Sequence, residues 1–412
     1  MMNPHAVVVG AGPVGALAAL LLAKSNVAVT LVERNDKLIT ASQASTFHPS
    51  TLDLLRTLGI ELASDPDAVA VTSVQWRDNR GDIRAELDYR LLADLTNHPF
   101  RIHLDQQALL DRAAQLIAAE PAIELRAGVA AIDLNPARPS VTTLTNNGQR
   151  QIITADVIIG CDGSHSLIRQ LAGIPMLVRN YPTVALRAHA HADLAALLPT
   201  QAPPPLSGLC YFRGNDDGVS ALRMKTATRL IVRSANSQPD RRRVADAVAN
   251  ATPWKAGDLA IDRIDSYPLG RGVVDSYLSD LGSVVVVGDA AHVTSTAGGL
   301  NMNSGIHDAF AVMPALADWL HRRIDKSVVA RITEARRQYL LNEVIPRSER
   351  RVRGLQDDDL HRFTTHLDDI ATLAENCDAA KQFLIEASLL DTPLHDLPNE
   401  TSQSRVLQVG MR

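Results

Sequence analysis

The stretch HAVVVGAGPVGALAALLLAKSNVAVTLVER, residues 5–34, gives the strongest indication of the fold of this chain. It begins and ends with continuously apolar runs, AVVVG and VAVTLVE, which are typical of parallel strands covered on both faces. A glycine-containing turn joins the first run to an apolar segment at residues 14–23, which is too short to span a bilayer and suits a buried helix. The order strand, turn, helix, strand predicts the start of a doubly wound α/β domain.

The turn in this stretch, GAGPVG at residues 10–15, has the glycine spacing of a dinucleotide-binding site. Gly10 permits a tight turn, Gly12 lets the backbone approach a pyrophosphate, and Gly15 lets the helix pack closely on the strand. The N-terminus of that helix offers unpaired N–H groups and a positive potential to phosphates. Glu33 ends the second strand, where it can accept hydrogen bonds from a ribose. These features predict a dinucleotide site and leave both FAD and NAD open as its ligand.

Composition limits the classes of protein to which the chain can belong. Its 412 residues are 46% hydrophobic and 21% charged, which is ordinary globular material for two or three domains. The formal net charge of -5, without a dense Lys/Arg stripe, argues against a nucleic-acid partner. Cys161, Cys210 and Cys377 are too few and too far apart for a disulfide framework or a zinc site. No signal-peptide pattern opens the sequence, so we expect a cytoplasmic protein. Since no residue set suits a metal site and no apolar run is long enough to span a bilayer, we expect neither a metal nor a membrane partner.

Two later segments repeat the pattern of a buried strand followed by a turn and a helix. In ADVIIGCDGSHSLIRQLAG, residues 155–173, Asp162 and Gly163 form the turn and Arg169 lies near the start of the helix. The simplest interpretation is a strand-to-helix connection whose aspartate caps the helix. In SVVVVGDAAH, residues 283–292, a run of four valines ends at a glycine and an aspartate, and an amphipathic helix pattern follows.

Together the three segments resemble, in order and roughly in spacing, the fingerprints of FAD-dependent aromatic hydroxylases of the para-hydroxybenzoate hydroxylase type. The resemblance covers about residues 5–345 and implies that FAD is the cofactor. It implies that the DGxxSxxR segment lies near the flavin pyrophosphate and the path of the nicotinamide cofactor. It also implies that Asp289 binds the ribityl chain and that Asn303 lies near the pyrimidine edge of the flavin. The pair Gly298 and Gly299 would let the backbone approach the flavin ring closely.

Two further family positions correspond to glutamines in this chain. A family glutamine that contacts the cofactor matches Gln106 or Gln107, of which we favour Gln106. A family arginine that touches the FAD pyrophosphate is replaced by Gln43 or a neighbour, and Arg34 and Arg169 are candidates to compensate for it. The predicted cofactor-binding residues are Gly10, Gly12, Pro13, Val14, Gly15, Glu33, Arg34, Gln43, Gln106, Asp162, Gly163, Arg169, Gly288, Asp289, Gly298, Gly299, Leu300, Asn301, Met302 and Asn303.

The segment after Asp289 departs from the family pattern. Ser295 and Thr296 occupy positions where the family commonly has proline, and Asn301 occupies a glycine position. Asparagine can keep a turn by adopting a positive φ. In the family the proline backbone helps to shape the space where oxygen meets the flavin. We therefore expect these changes to affect that pocket more than the binding of FAD.

Between the second and third segments the pattern changes to short strands, which suits a β-rich insertion. We expect a Rossmann-like α/β FAD-binding domain that is interrupted by a β-rich substrate domain and followed by C-terminal helices. The expected boundaries are 1–72, 101–175 and 271–345 for the FAD-binding domain, 73–100 and 176–270 for the substrate domain, and 346–412 for the C-terminal helical segment. The helical segment suits packing over the core or a homodimer contact.

The resemblance implies a single-component monooxygenase. NADH or NADPH would reduce FAD, and the reduced flavin would react with O2 to give a flavin hydroperoxide that hydroxylates an aromatic or heteroaromatic small molecule. Two alternatives stay open. One is an FAD-dependent oxidoreductase of the same fold that acts on a non-aromatic substrate, and the other is a flavin-binding protein without turnover.

The substrate wall is expected to come from strands of the β-rich insertion. Tyr211, Arg223 and Lys225 lie on these predicted strands and are candidates to contact the substrate. Alternation puts Arg223 and Lys225 on one face, and that face is equally compatible with solvent. His48, near the start of the second predicted helix, is a candidate proton carrier or an ordinary residue at a helix N-terminus.

Overall fold

A computed structural model describes residues 3–38, 44–199, 205–214, 217–295, 297–356 and 360–394, with the side chains of all but residues 351–365. The strands are β1 (His5–Val9), β2 (Ala28–Glu33), β3 (Thr46–Phe47), β4 (Val69–Val71), β5 (Ser73–Asp78), β6 (Ile83–Asp88), β7 (Arg101–His103), β8 (Ile123–Ala127), β9 (Val129–Asn135), β10 (Ser140–Thr145), β11 (Arg150–Thr154), β12 (Val157–Gly160), β13 (Arg179–Ala190), β14 (Leu209–Arg213), β15 (Gly218–Arg223), β16 (Thr228–Ser234), β17 (Ile261–Val273), β18 (Val284–Val286) and β19 (His292–Val293). The helices are α1 (Pro13–Lys24), α2 (Pro49–Arg56), α3 (Gln106–Ala119), α4 (Leu167–Leu171), α5 (Arg241–Ala251), α6 (Leu300–Leu320), α7 (Lys326–Tyr339), α8 (Ile345–Gln356), α9 (Leu360–Ala374) and α10 (Cys377–Ala387).

The first layer is a five-stranded parallel sheet in the order β18-β12-β1-β2-β8. β1 lies in its centre, where Ala6 is opposite Val157 on one side and Val29 on the other. Val8 packs into the core formed with α1, α3 and α6, whereas Val7 packs towards the strands β9, β10 and β11. Both faces of β1 are therefore covered, which explains why its sequence is continuously apolar.

The second layer is an eight-stranded mixed sheet in the order β19-β17-β13-β16-β15-β14-β5-β6. Neighbouring strands pair antiparallel, except that β14 and β5 run parallel with Leu209 opposite Val74. One face of this sheet packs on α5 through Val244 and Val248. Two separate parts of the chain thus form most of this sheet, and in the sequence each is inserted between strands of the parallel sheet. This arrangement confirms the predicted fold class.

Glycines form two of the hairpin turns in the chain. β10 and β11 pair antiparallel on either side of Gly148, which has a φ of 83°. β5 and β6 are joined through Gly81, which has a φ of 91°. Only glycine adopts such angles without strain, so these residues fix where the chain reverses.

The C-terminal helices cover the edge of the eight-stranded sheet. α9 packs against β6, and α10 packs against the turn at Tyr89–Leu92. Leu367 and Leu384 from these helices share an apolar cluster with Leu87 and Tyr89. The helices therefore pack over the core, which is one of the two uses that the sequence suggests. Among the described helices, none is both long and apolar enough to cross a membrane.

Candidate cofactor and substrate site

One cavity of about 2390 Å³ lies between the parallel sheet and the eight-stranded sheet. Residues of all three glycine segments line one part of it, and residues of the eight-stranded sheet and of α9 and α10 line another. Pockets for one drug-sized ligand usually measure about 300–1,000 Å³. The cavity therefore has room for a large cofactor and a second ligand.

Gly10 and Gly15 are required by close packing of the backbone. Gly10 has a φ of 96°, and a Cβ there would lie 2.5 Å from the carbonyl oxygen of Cys161. A Cβ on Gly15 would lie 1.8 Å from the carbonyl oxygen of Gly10. Neither position has space for a side chain, so the first turn fits directly against the second glycine segment.

Gly12 differs from its neighbours, because a Cβ there would meet no protein atom within 4 Å. It is the N-cap of α1, no side chain caps this helix, and Pro13 follows at its start. Gly12, Pro13 and Val14 all line the cavity. An open cradle at an uncapped helix N-terminus fits the phosphates of a dinucleotide.

Glu33 holds the first turn and faces the cavity. One carboxylate oxygen accepts a hydrogen bond from the N–H of Ala11 at 2.8 Å. The other accepts from the backbone N–H and the side-chain amide of Asn35, at 2.9 and 2.7 Å. A carboxylate has about four lone-pair sites, so Glu33 keeps capacity for a ribose hydroxyl. Arg34 is exposed at the edge of the same cavity.

The second glycine segment is tied to the third. Asp162 accepts hydrogen bonds from the hydroxyl of Ser166 and, at 3.1 Å, from the N–H of Ile168. Ser166 rather than Asp162 is the N-cap of α4, because its side-chain oxygen accepts from the N–H of Arg169 at 2.9 Å. The guanidinium of Arg169 donates to the carbonyl oxygen of Ala290 at 3.1 Å. Arg169 thus braces the two segments as well as lining the cavity.

Asp289 in the third segment is partly exposed on the cavity wall. Burial raises the pKa of Asp289, while interactions with His292 and Asn301 act in the opposite direction. A carboxyl group can accept hydrogen bonds when it is ionised and can also donate one when it is protonated. Asp289 is therefore suited to bind the hydroxyl groups of a polyol chain.

Asn301 replaces the family glycine in a way that the sequence did not predict. It lies in the first turn of α6 and has no positive φ, because Gly298 and Gly299, with φ of 85° and 68°, already make the turn before it. Its amide donates to Asp289 at 2.8 Å, and its side-chain oxygen accepts from the N–H of Thr294 at 3.0 Å. Asn301 therefore does not need the positive φ that asparagine can adopt, and its side chain instead fixes the loop around Asp289.

Three buried polar side chains support this loop from behind. Asp308 accepts hydrogen bonds from His292 Nε2 at 2.8 Å and from Arg336 Nε at 2.9 Å. Burial alone would raise the pKa of Asp308, but the interactions with His292 and Arg336 outweigh burial and lower it. The sequence alone did not indicate Asp308 or Arg336 as a pair. The available signal was a charged residue within the apolar pattern of α6.

His48 and Asn303 also support the wall and do not line it. His48 Nε2 donates to the carbonyl oxygens of Gly298 and Gly299, at 2.9 and 3.2 Å. The side chain of Asn303 donates to the carbonyl oxygens of Gly299 at 2.7 Å and Thr46 at 2.9 Å, and accepts from the N–H of His48 at 3.1 Å. Both residues are fully buried. His48 is the N-cap residue of α2, which is one of the two places that the sequence left open for it, and its ring holds the glycine turn.

Gln106 and Gln107 take different places. Gln106 lines the cavity, and its side-chain oxygen accepts from the N–H of Ala44 at 3.2 Å. The Gln107 amide donates instead to the carbonyl oxygen of Leu38 at 3.0 Å and to Asp111 at 2.8 Å, and Gln107 itself does not line the cavity. This arrangement favours Gln106 as the residue available to a cofactor.

The structure brings most predicted cofactor residues to one wall. Those that line the cavity are Gly10, Gly12, Pro13, Val14, Glu33, Arg34, Gln106, Asp162, Gly163, Arg169, Asp289, Gly298, Gly299, Asn301 and Met302. Gly15, Gly288, Leu300 and Asn303 are buried behind the wall, so their predicted direct contact is corrected to a supporting role. Gln43 and Thr296 lie outside the described residues.

Aromatic side chains form part of the cavity wall that comes from the eight-stranded sheet and from α10. The rings of Trp76 and Tyr211 lie 5.4 Å apart, and those of Trp76 and Phe383 lie 6.0 Å apart. These side chains come from β5, β14 and α10, so separate parts of the chain meet here. Such a wall suits an aromatic ring, which packs on other rings in tilted or edge-on geometries. Of the substrate candidates predicted from the sequence, only Tyr211 lies on it.

Arg223 and Lys225 are exposed and do not line the cavity. On β15 the residues that face the cavity are Gly218, Ser220 and Leu222. Because side chains alternate along a strand, Arg223 points the other way. Their exposure agrees with the solvated face that the sequence left open for Arg223 and Lys225, and substrate contact by them stays an untested prediction.

Other arginines, which the sequence did not single out, do face this end. Arg101, Arg213 and Arg233 line the cavity from β7, β14 and β16. On β14, alternation gives the only signal that could have found one of them, since Arg213 lies two residues after Tyr211. Which side of each of the three strands faces the cavity depends on long-range strand pairing, which no local pattern reveals.

A family model described as "FAD binding domain" matches residues 4–342. The chain is 28% identical to the 6-methylpretetramide 4-monooxygenase of Streptomyces rimosus over 334 residues, which cover 77% of this chain and 56% of that protein. It is 24% identical to the 6-hydroxy-3-succinoylpyridine 3-monooxygenase HspB of Pseudomonas putida over 363 residues, 86% of this chain and 89% of that protein. The chain thus spans little more than half the length of the first relative and most of the second.

The crystal structure of the p-nitrophenol 4-monooxygenase PnpA from Pseudomonas putida DLL-E4 has the same fold, with a TM-score of 0.84 at 20% identity. The match covers 95% of this chain and 98% of that chain. The family match includes all three glycine segments, and the open cradle at Gly12 fits the dinucleotide that the family binds. The protein therefore belongs to the FAD-dependent aromatic hydroxylases of the para-hydroxybenzoate hydroxylase type, and FAD is its cofactor.

Proposed function

We propose that this chain is a single-component FAD monooxygenase that uses NADH or NADPH and O2 to hydroxylate an aromatic or heteroaromatic small molecule. The observation that carries the proposal is the continuous cavity, which joins the cofactor segments to a chamber walled by Trp76, Tyr211 and Phe383. The aromatic and heteroaromatic monooxygenases among the relatives support the same class of reaction.

The glycine segments would hold FAD in this proposal. Gly12 and the N-terminus of α1 would bind the pyrophosphate, Glu33 the adenosine ribose, and Asp289 the ribityl chain. Gly298 and Gly299 would let the backbone lie close to the flavin ring. When bound, FAD supplies the transfer of electrons from the nicotinamide cofactor to O2 and of one oxygen atom to the substrate.

The chamber at the other end would bind and shield the substrate. Trp76 and Tyr211 offer ring faces against which an aromatic substrate can pack. Phe383 and Leu384 of α10 close the same end of the cavity. Water excluded from this space cannot compete with the substrate for reactive oxygen, which keeps the oxidation productive.

We also retain the domain division predicted from the sequence as a proposal. The separation of the parallel sheet from the eight-stranded sheet supports it. The expected cytoplasmic location is supported by Cys161, Cys210 and Cys377, which are all free thiols.

Purified protein loaded with FAD tests the proposed function. Oxidation of NADH and of NADPH is followed with phenols, aromatic acids and hydroxypyridines, and products are identified by mass spectrometry. We expect at least one compound to accelerate oxidation and to gain a hydroxyl group. Oxidation that yields only hydrogen peroxide with every compound would contradict the proposal, and so would a protein that cannot be loaded with FAD.

A further inference from the structure

One histidine of the C-terminal helices reaches the aromatic end of the cavity. His366 lies on α9 and lines the cavity together with Asp369 and Ile370. These positions are spaced at i, i+3 and i+4, so they lie on one face of the helix. Leu367 and Ile370 are buried, at 5% and 6% exposure, in the apolar cluster that contains Trp76. The packing of α9 therefore fixes His366 beside the aromatic wall.

The ring of His366 is half-buried and has nitrogen atoms available to a ligand. Burial and the charges of Arg213 and Asp369 affect its protonation, and no hydrogen bond from a described residue does. The other described histidine that lines the cavity differs, since Nδ1 of His165 lies 3.3 Å from the hydroxyl of Ser164. His366 is therefore an imidazole that faces the cavity without a hydrogen-bond partner in the part of the chain that the structure describes.

The imidazole of His366 is neutral at pH 7. Burial has the largest effect on its pKa, and burial and the neighbouring guanidinium of Arg213 lower this pKa to about 4. The carboxylate of Asp369 acts in the opposite direction and does not outweigh them. A neutral imidazole has one nitrogen with a free lone pair, so His366 can accept a hydrogen bond. The positive charge of Arg213 disfavours protonation of that nitrogen.

Few ionisable side chains at this end of the cavity can accept a hydrogen bond. The three arginines that face it only donate. The carboxylate of Glu386 accepts from the Gln382 amide at 3.1 Å and lies 3.9 Å from Nε of Arg347. Asp369 is exposed, so water competes for its carboxylate. Of these described groups, His366 is the acceptor that is partly shielded from water and has no described hydrogen-bond partner.

We propose that His366 accepts a hydrogen bond from a hydroxyl group on the aromatic ring of the substrate and thereby determines specificity. The inference rests on the function proposed above and deepens it by naming the ring substituent that the site recognises. A ring packed on Trp76 lies beside α9, because Leu367 and Ile370 share the apolar cluster of Trp76. A hydrogen bond that draws the hydroxyl proton towards His366 also makes the ring richer in electrons, which favours its oxidation. His366 lies beyond residues 4–342, which the family model matches, so this role is assigned from the C-terminal helices of this chain.

Ligand binding to the full FAD-loaded chain tests this proposal without turnover. The probes are pairs in which fluorine replaces the hydroxyl group with little change in size, namely phenol and fluorobenzene, 4-methylphenol and 4-fluorotoluene, and 3-hydroxypyridine and 3-fluoropyridine. Dissociation constants are read from the change in flavin absorbance, and each pair gives a ratio of hydroxyl to fluorine affinity. A neutral hydrogen bond typically contributes about fivefold in affinity. We therefore expect substitution of His366 to lower this ratio by about fivefold for at least one pair.

Variants locate the acceptor. His366→Phe and His366→Leu both remove the nitrogen lone pair and should each lower the ratio, and their different shapes guard against one that fails to fold. His366→Gln keeps an acceptor and should retain part of the ratio. His191→Phe is the matched control and should leave the ratio unchanged, because His191 is exposed, pairs with Asp262 and does not line the cavity. The ratio of flavin to protein absorbance shows that each variant is folded and loaded.

An affinity ratio that is the same in the wild type, His366→Phe and His366→Leu for every pair overturns the proposal. A wild type that binds none of the hydroxyl compounds overturns it without reference to a variant, and so does an equal drop of the ratio in His191→Phe. Failure of the proposed function looks different, since then the ratio depends on His366 and no hydroxylated product forms from any compound.

Discussion

At the scale of single residues, the glycines of the first turn have different roles. Some allow the backbone to pack closely, and one faces the space for the ligand. A Cβ on Gly15 meets the carbonyl oxygen of Gly10 at 1.8 Å, whereas a Cβ on Gly12 meets nothing within 4 Å. We predict that Gly12→Ala leaves the melting temperature of the apoprotein unchanged and weakens FAD binding. Gly15→Ala should lower both, because the backbone must move.

Thermal unfolding of apoprotein and titration with FAD measure the two effects separately. Gly257→Ala is the matched control, since Gly257 also has open space around its Cβ and does not line the cavity. A Gly12→Ala protein that binds FAD as tightly as the wild type would show that this cradle does not hold the pyrophosphate.

Asp289 carries a second prediction at this scale. Asp289→Ala removes a carboxylate from the cavity wall and deprives the Asn301 amide of its 2.8 Å acceptor. We expect the purified variant to retain much less FAD than the wild type, as judged from the ratio of flavin to protein absorbance. Unchanged FAD occupancy would refute the assignment of Asp289 to the ribityl chain.

Asp308 acts on stability rather than on ligand binding. Asp308→Asn would leave the buried Arg336 without its charge partner, which typically costs about 3–5 kcal/mol. The pKa of Asp308 is lowered in the folded protein from its usual value of 3.8. Its contribution is therefore complete above that value and is lost as the pH falls through the folded-state pKa.

Urea unfolding at several pH values measures this contribution. The stability gap between wild type and Asp308→Asn should be full at pH 7 and should narrow below about pH 4. The control is Asp280→Asn, since Asp280 is exposed. A gap that stays constant down to low pH would contradict the role given to this carboxylate.

At the scale of elements, local patterns in the sequence were enough for the parts that depend on neighbours along the chain. The stretch 5–34 forms β1, α1 and β2 in the predicted order, because apolar runs and glycines act locally. The parallel pairing of β5 with β14 could not be predicted from local patterns, since it joins strands more than a hundred residues apart. Without that pairing, the sequence could not show that Arg213 faces the cavity and that Arg223 is exposed outside it.

The segment after α10 is held by a charged clamp. Arg347 donates to Asp391 at 3.0 Å and to Glu343 at 2.8 Å, and the Tyr339 hydroxyl donates to Asp391 at 2.9 Å. Because α10 lines the substrate end of the cavity, this clamp fixes one of its walls. Asp391→Asn removes charge-assisted hydrogen bonds that are typically worth about 1.5–3 kcal/mol.

We predict that Asp391→Asn retains FAD and yields less hydroxylated product per NAD(P)H oxidised, because water enters the loosened chamber. The ratio of product to oxidised NAD(P)H measures this effect. Lys381→Met is the control, since it breaks the exposed pair with Asp94 at the other side of α10, a kind of contact that contributes little. The same ratio in Asp391→Asn and wild type would argue against the clamp.

At the scale of the whole molecule, the two layers place a nucleotide-binding edge and an aromatic chamber on one cavity. The family match covers residues 4–342, and the C-terminal helices close the chamber. The replacement of the family glycine by Asn301 leaves the turn intact, because Gly298 and Gly299 precede it. The chain therefore combines an intact cofactor site with an adjoining chamber walled by aromatic side chains.

Oxygen-18 gas tests directly whether the chain transfers an oxygen atom from O2 to its substrate. FAD-loaded protein, NAD(P)H and the aromatic compound that most accelerates oxidation are incubated under labelled O2, and the product is examined by mass spectrometry. We predict one labelled oxygen atom in the ring hydroxyl of the product. A product that carries oxygen from water, or labelled hydrogen peroxide as the sole oxygen product, would contradict it.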